Sequence, residues 1–408
     1  MNTAATRLKA FATAAAAILA AALAVSCGED EPEVQPTQQT ILVYMPWSGT
    51  ETSVGLYRAF LANLDSIEAG IKGKKGLEGQ RLMLFISDSH SSSTLYELTY
   101  TANGLDRTEV ASYEGNAYTT AEGISEIIST VKQHAPALNY AMLIGCHGTG
   151  WTKKDTWRNY PYYAKPAAAM QVWDEDYTPT RFYGSVADMR YATEITDLAE
   201  GIERTGTKMQ YILFDDCYMA NVETAYALRR ATNFLIASTS EIIDIGMPYA
   251  SMWKSIAKPA PDYAGAVTAF GSFYSSYKIP SGTLSAIDCR QTEALAKLMK
   301  EANARYSLPD GMADSVQVLD GFTQPIFYDM ADYADKLCPA GELKDSITAQ
   351  IARTVRAKTA TPTVYSALFY KPKYITVSSF SGLTISDPTT HPAAATGVAL
   401  TEWYRDTH

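Results

Sequence analysis

The chain has 408 residues, 47% of them hydrophobic and 19% charged, and a formal net charge of −10 at pH 7. That apolar share over that length supports a sizeable buried core and excludes overall disorder, while length alone permits one large domain or two to three smaller ones. The acidic balance argues against nucleic acid as a partner, because phosphate binding draws on clustered positive charge.

Arg7 and Lys9 precede a small apolar run from Ala10 to Val25, which closes on Ala24-Val25-Ser26-Cys27. A positive start followed by such a run reads as a secretory signal over residues 1–26. The run is short and Ala-rich for a spanning helix. Its ending resembles the lipobox of bacterial lipoproteins, with Ala24 where Leu usually stands, and implies Cys27 as the acylated first mature residue. The plainer alternative is an incidental cysteine beside an ordinary cleavage site. Residues 27–39 read as a polar, Pro-containing tether. Its acidic start, Gly28-Glu29-Asp30-Glu31, resembles export tags of Bacteroidetes surface lipoproteins. These likenesses imply an exported lipoprotein held to the outer membrane through its lipid, with the cell surface as one placement.

Beyond the tether, two textures alternate. Ile41 to Met45, Arg81 to Ile86, Tyr140 to Gly145, Tyr211 to Phe214 and Phe234 to Ser238 are short, continuously apolar runs. Such runs suit strands covered on both faces, as in a parallel sheet. Val54 to Ile67, Thr120 to Gln133 and Thr193 to Thr205 read as helices between them. The order predicts an open, doubly wound α/β domain over residues 40–258, with its active groups at the carboxyl ends of the strands. From about Pro259 the texture changes to helices (Tyr263 to Tyr277, Cys289 to Arg305) with scattered strands. Residues 259–408 therefore read as a packed C-terminal α+β subdomain.

Two strand ends carry chemistry. Tyr140 to Gly145 runs into Cys146-His147-Gly148-Thr149-Gly150, and glycine after the His allows a backbone N–H to approach a ligand closely. Tyr211 to Phe214 runs into Asp215-Asp216-Cys217-Tyr218-Met219, ahead of a predicted helix. A thiol at a helix N-terminus would have its thiolate favoured, whereas two adjacent carboxylates oppose it, so the local sequence leaves the ionisation open. Singly, a His after a strand and a lone Cys are each as well explained by structural roles.

Together they say more. An apolar strand ending in His-Gly, and 70 residues later another ending in Asp-x-Cys, resembles the clan of caspases, legumains, gingipains and clostripain. Phe214-Asp215-Asp216-Cys217-Tyr218-Met219 with Val222-Glu223-Thr224-Ala225-Tyr226 is similar to the clostripain pattern Phe-Asp-Ala-Cys-Leu-Met followed by Val-Glu-Val-Ala-Tyr. Ser240-Glu241, Gly246-Met247-Pro248-Tyr249, Leu284 to Asp288, Phe327-Tyr328-Asp329 and Ser381 to Ile385 match further landmarks in order, so the likeness covers roughly residues 40 to 400.

The resemblance implies a caspase-like, open, mostly parallel sheet flanked by helices, and peptide-bond hydrolysis after Arg or Lys through an acyl-enzyme. Cys217 would be the nucleophile, His147 its acid–base partner, and the N–H groups of Gly148 and Cys217 the oxyanion hole. Asp215 matches an acidic specificity residue, with Glu241 and Asp244 as further substrate-binding candidates. The bland reading of Asp215 is a cap on the following helix or a partner of local backbone. The partners implied are proteins or peptides with basic residues. Calcium enters only by the likeness to clostripain, since the sequence has no Asp-x-Asp-x-Asp-Gly loop, requires no cofactor and marks no metal ligand.

The chain also departs from the family. Pro46-Trp47-Ser48-Gly49 stands where relatives carry an Asp-Asn-rich turn, and Asp216 replaces a small residue before the nucleophile. Thr152 to Tyr183 holds Lys153, Lys154, Arg158, Lys165 and Arg181, so self-cleavage between His147 and Cys217 is chemically open. Cys217 is expected free and Cys146 structural, with no Cys289–Cys338 bridge expected. Ser87-Asp88-Ser89-His90 has the letters of a hydrolase triad but reads as a polar loop, since neighbours on a strand diverge. The competing function is an altered surface lipoprotein of the same fold that binds peptides or glycans. Retention of both His147 and Cys217 favours the enzyme.

Overall fold

A computed structural model describes residues 37–47, 56–158, 189–309, 311–367 and 373–408. The signal segment, Cys27, most of the tether, Ser48-Gly49 and most of the stretch Thr152 to Tyr183 lie outside the described residues. In chain order the strands are β1 (Gln39–Met45), β2 (Arg81–Ser89), β3 (Ser92–Thr101), β4 (Gly104–Glu114), β5 (Asn139–Gly145), β6 (Met209–Asp215) and β7 (Thr232–Ala237). They are followed by β8 (Thr283–Asp288), β9 (Val318–Phe322), β10 (Gln324–Asp329), β11 (Val355–Ala360), β12 (Thr363–Ser366), β13 (Lys373–Thr376) and β14 (Thr384–Ile385).

The five apolar runs of the sequence become the parallel centre of a nine-stranded sheet ordered β11-β8-β7-β6-β5-β1-β2-β3-β4. β2, β1, β5, β6 and β7 run parallel, in the register Phe85↔Tyr44↔Ile144↔Phe214. Both faces are covered, which is why the runs are continuously apolar rather than alternating. On β6, Tyr211, Ile212, Leu213 and Phe214 are all fully buried. One set of helices, Tyr57–Lys74, Tyr249–Ile256 and Tyr263–Ser276, packs in succession. Another pairs Ala121–His134 with Ile195–Arg204. Ala121–His134 buries Ile124, Ile127, Ile128 and Val131, a single stripe at helical spacing, and Thr120 caps it by accepting the Gly123 N–H at 3.2 Å.

Antiparallel strands extend both sides of this centre, β3 and β4 beyond β2, β8 and β11 beyond β7. The hairpin of β3 and β4 has no apolar run to announce it, since β4 is largely exposed. Ser87-Asp88-Ser89 is the end of β2 rather than a polar loop. Ser87 Oγ donates to Pro46 O at 2.8 Å and lies 2.6 Å from Ser93 Oγ, so the run ties two strand ends. Residues 37–408 form one compact body, to which the part beyond Pro259 contributes two strands of the main sheet. The remaining strands make two small sheets, β14-β10-β9 and β12-β13. Cys146, Cys217, Cys289 and Cys338 are all free and buried. Among the described residues, no helix is long and apolar enough to cross a membrane.

Candidate active site

β5 and β6 pair in parallel up to the rung Gly145↔Asp215. Beyond it both chains leave the ladder together and remain in contact. Asp216 Oδ1 accepts the Cys146 N–H at 2.6 Å. Two residues on, a Cβ on Gly148 would lie 2.3 Å from Cys217 O and 2.9 Å from Cys217 N, so only glycine lets the chain settle there. His147 is thereby carried to the level of Cys217, between two contacts with the β6 turn. The same approach puts the backbone of Gly148 against that of Cys217, where the two N–H groups named for the oxyanion lie.

The Cys217 side chain is fully buried. Its Sγ accepts the Ile242 N–H at 3.3 Å and lies 3.8 Å from Ile242 O. The expected helix N-terminus is not what adjoins the thiol. Asn221 caps the helix Val222–Ala227, accepting the Thr224 N–H at 2.7 Å, so that helix starts beyond the turn. Helix fields fade within the first turn, and the N–H that faces the sulfur is that of Ile242. Tyr218 sits at φ 63°, a left-handed conformation that is costly for a residue with a side chain. It is held there by Ser240 O, which accepts its N–H at 3.2 Å, and by Phe327, on which its ring stacks at 5.0 Å.

Asp215 is fully buried on the same strand. Its Oδ1 accepts the Met247 N–H at 2.9 Å, and its Oδ2 accepts the Asn63 side-chain amide. These partners lie on a distant loop and on helix Tyr57–Lys74, so Asp215 is not a helix cap. Glu241 is buried near Tyr218, its Oε1 accepting the Ala367 N–H at 2.9 Å and the Ser366 hydroxyl at 3.2 Å. Asp320 shares Ser366 at 2.7 Å and accepts the Glu241 N–H at 3.0 Å. Burial first, and then Glu241, push the Asp320 carboxyl well above the usual range. Asp244 lies at the surface. Among the described residues, no group of three or more His, Cys, Asp or Glu could hold a metal ion.

A strut runs from the His147 loop toward the chain's end. Trp151 Nε1 donates to Ser386 Oγ at 2.8 Å, and the Ser386 N–H donates to Glu223 Oε1 at 2.8 Å. Burial, and secondarily Asp387, push Glu223 up to about 8, and burial pushes Asp387 up to about 7. The segment is tied in again where the Thr384 N–H donates to Ala220 O at 3.0 Å.

This geometry agrees with what the chain resembles. The sequence profile of the clostripain family matches residues 62–338. The chain belongs to the clostripain family. A secreted cysteine protease of Bacteroides thetaiotaomicron, iotapain, is 38% identical with a TM-score of 0.79, over 91% of this chain and 99% of that one. An inactive zymogen protease of Parabacteroides distasonis is 25% identical with a TM-score of 0.73, again over 91% and 99%. A clostripain of Bacteroides thetaiotaomicron solved with the peptide inhibitor BTN-VLTK-AOMK is 44% identical with a TM-score of 0.53, over 56% of this chain and 99% of that one. Comparison with curated proteins gave no match. The likeness supports a caspase-like fold, cysteine-protease chemistry and peptide substrates.

The clostripain landmarks, scattered in sequence, converge on one turn. Ser240, Phe327 and Thr384 all touch residues 218–220. Sequence reading did not find Asn63, Ile242, Asp320 or Trp151. Asn63 stands on a helix 152 residues before its partner. Ile242 acts through its backbone, which has no signature in a side chain.

Proposed function

We propose that this clostripain relative hydrolyses peptide bonds after Arg or Lys, with Cys217 and His147 as its dyad. The observation that carries this is the shared rung of β5 and β6. It brings the backbone of Gly148 against that of Cys217 and leaves Asp215 at the end of β6, two residues before the nucleophile. Cys217 Sγ would attack the scissile carbonyl carbon while the oxygen takes negative charge between the Gly148 and Cys217 N–H groups. His147 then gives its proton to the leaving amine, which departs and leaves a thioester. Water, giving a proton back to His147, cleaves that thioester to the acid and the free thiol.

Asp215 supports the basic preference. The Met247 N–H and the Asn63 amide hold the carboxylate in place two residues before Cys217, where its charge would meet an incoming cation. In the related clostripain complex, the inhibitor's peptide part, VLTK, ends in a basic residue. Because Cys217 is fully buried, a peptide reaches it only after the chain around it shifts. At the other end of the chain, Ser26-Cys27 supports a lipid anchor. Metabolic lipid labelling should be lost in Cys27→Ser, and labelling that persists would remove the anchor from the reading.

The test of the dyad is a panel of short fluorogenic peptides offered to the full chain and to its Cys217→Ala and His147→Ala variants. Cleavage after Arg and Lys by the parent, with none by either variant, is the expected result. Near-parent activity in either variant would transfer the chemistry elsewhere.

A further inference from the structure

Asp216 is the residue at which this chain leaves the family pattern, which has a small residue there. Beside a cysteine nucleophile a carboxylate looks unfavourable, since negative charge opposes a thiolate. The structure gives it another task. At Gly145↔Asp215 the ladder between β5 and β6 ends, and with it the regular supply of backbone acceptors. The next amide on the β5 side, that of Cys146, donates instead to Asp216 Oδ1 at 2.6 Å, and Asp216 is fully buried. A side chain thus adds one more tie between the two strands. It lies one residue before His147 on one chain and one residue before Cys217 on the other.

The second half of the arrangement lies just past His147. At Gly148 the chain closes again on the same turn, so near that an added Cβ would lie 2.9 Å from the Asp216 Cβ and 2.3 Å from Cys217 O. His147 is bracketed by these two contacts. Deleting the first frees the Cys146 backbone from the β6 turn just before His147, which lets the imidazole shift relative to the sulfur.

We propose that Asp216 is a positioning residue that sets the spacing of His147 and Cys217 by accepting the Cys146 amide, doing in this chain what a small residue at that place cannot. The role rests on the dyad reading above. It belongs to the acceptor oxygen and not to the charge, so the two can be separated. Asparagine keeps an oxygen at Oδ1 and removes the charge, whereas alanine removes both.

The experiment compares the full chain with Asp216→Asn and Asp216→Ala, with Cys217→Ala alongside. It measures kcat and KM on an Arg peptide, and the pH profile of iodoacetamide modification of Cys217, located by mass spectrometry. Losing one buried hydrogen bond that holds the dyad in register should lower kcat of Asp216→Ala about tenfold or more, with KM within about threefold. Its alkylation profile should move to higher pH, because a thiolate that loses its imidazolium partner is harder to form. Asp216→Asn should keep at least about a third of the parent kcat, with no upward move of the profile. Parent-like kcat and profile in Asp216→Ala would overturn the proposal, and so would an Asn variant as impaired as the Ala variant. A move of the Ala profile to lower pH would overturn it too, since that is the sign of a charge effect alone. If Asp216→Ala does not fold, Asp216→Asn decides by itself, supporting the proposal if it is parent-like and overturning it if kcat falls about tenfold. Hydrolysis that survives in Cys217→Ala would overturn the dyad and this role with it, a result distinct from the failure of Asp216 alone.

Discussion

Two pairs of buried carboxyl groups stand near the β6 turn, Asp215 with Asp216 and Glu223 with Asp387, and they differ in the donors that their oxygens meet. Asp215 and Asp216, at the end of β6, each accept a backbone N–H, from Met247 and Cys146. Glu223 Oε1 also accepts a backbone N–H, from Ser386, but Glu223 lies against Asp387, and among the described residues Glu223 Oε2 and both Asp387 oxygens accept no hydrogen bond. Burial pushes the second pair up to about 8 and about 7. Depth of burial is the same in kind for both. Both oxygens of Asp215 accept a donor, from Met247 and Asn63, whereas among the described residues of the second pair only Glu223 Oε1 does, so what differs is the supply of N–H groups.

The largest expected effect would break the comparison at its first member. Asp215→Asn keeps the acceptor for Met247, and the Asn63 amide can turn its oxygen to the new amide, so the fold should persist. Loss of a buried charge partner typically costs about 3–5 kcal/mol, so turnover of Arg peptides should fall by more than about a hundredfold. Uncharged peptides should suffer far less. The same Arg-to-Ala cleavage ratio in parent and variant would remove Asp215 from the pocket and make Glu241 or Asp244 the next candidate.

A smaller effect sharpens the second member. Glu223 and Asp387 rise from ordinary values of 4.5 and 3.8 to about 8 and about 7, so the folded chain holds these protons more tightly than the unfolded one. The stability they contribute is complete below about pH 4 and is lost as pH climbs through 7 and 8. The thermal midpoint should therefore be lower at about pH 9 than at about pH 6. Glu223→Gln keeps the acceptor for Ser386 and has nothing to titrate, so the difference between the two pH values should shrink. An unchanged difference in that variant would assign the slope to other groups.

The smallest effect concerns the strut that links the pairs. Trp151→Phe deletes the indole N–H that Ser386 accepts and keeps most of the ring, which should cost about 1 kcal/mol of stability. Activity should fall by only a few-fold, because Gly148 and Asp216 still hold the His147 loop. Urea unfolding and peptide turnover check the two parts. A hundredfold loss of turnover would show that the strut, and not the β6 turn, positions His147.

How much of this was legible follows from which interactions leave a mark on composition. The five parallel strands announce themselves because burial on both faces demands unbroken apolar runs. The hairpin of β3 and β4 does not, since β4 is half solvated and its alternation is blurred. His147, Cys217 and Asp215 were singled out only together, by their likeness to the clostripain pattern, since each alone has a plain structural reading. Their supports were not. Asn63 and Asp320 are ordinary polar letters until the fold brings them across the sheet, and Ile242 contributes an amide that every residue but proline owns. Asp216 was visible as an oddity, and only the Cys146 amide shows what it holds.

The rung that joins Gly145 to Asp215 has a consequence for the chain between the two strands. β5 and β6 are neighbours inside the sheet, flanked by β1 and β7, so their pairing does not depend on the connection between them. A single cut in that connection would remove no ladder bond, and the two fragments should stay together with the catalytic turn intact. Their unfolding, however, would become a dissociation. From then on the apparent stability would depend on protein concentration, as that of an obligate dimer does, while the uncut chain would melt at one temperature however dilute.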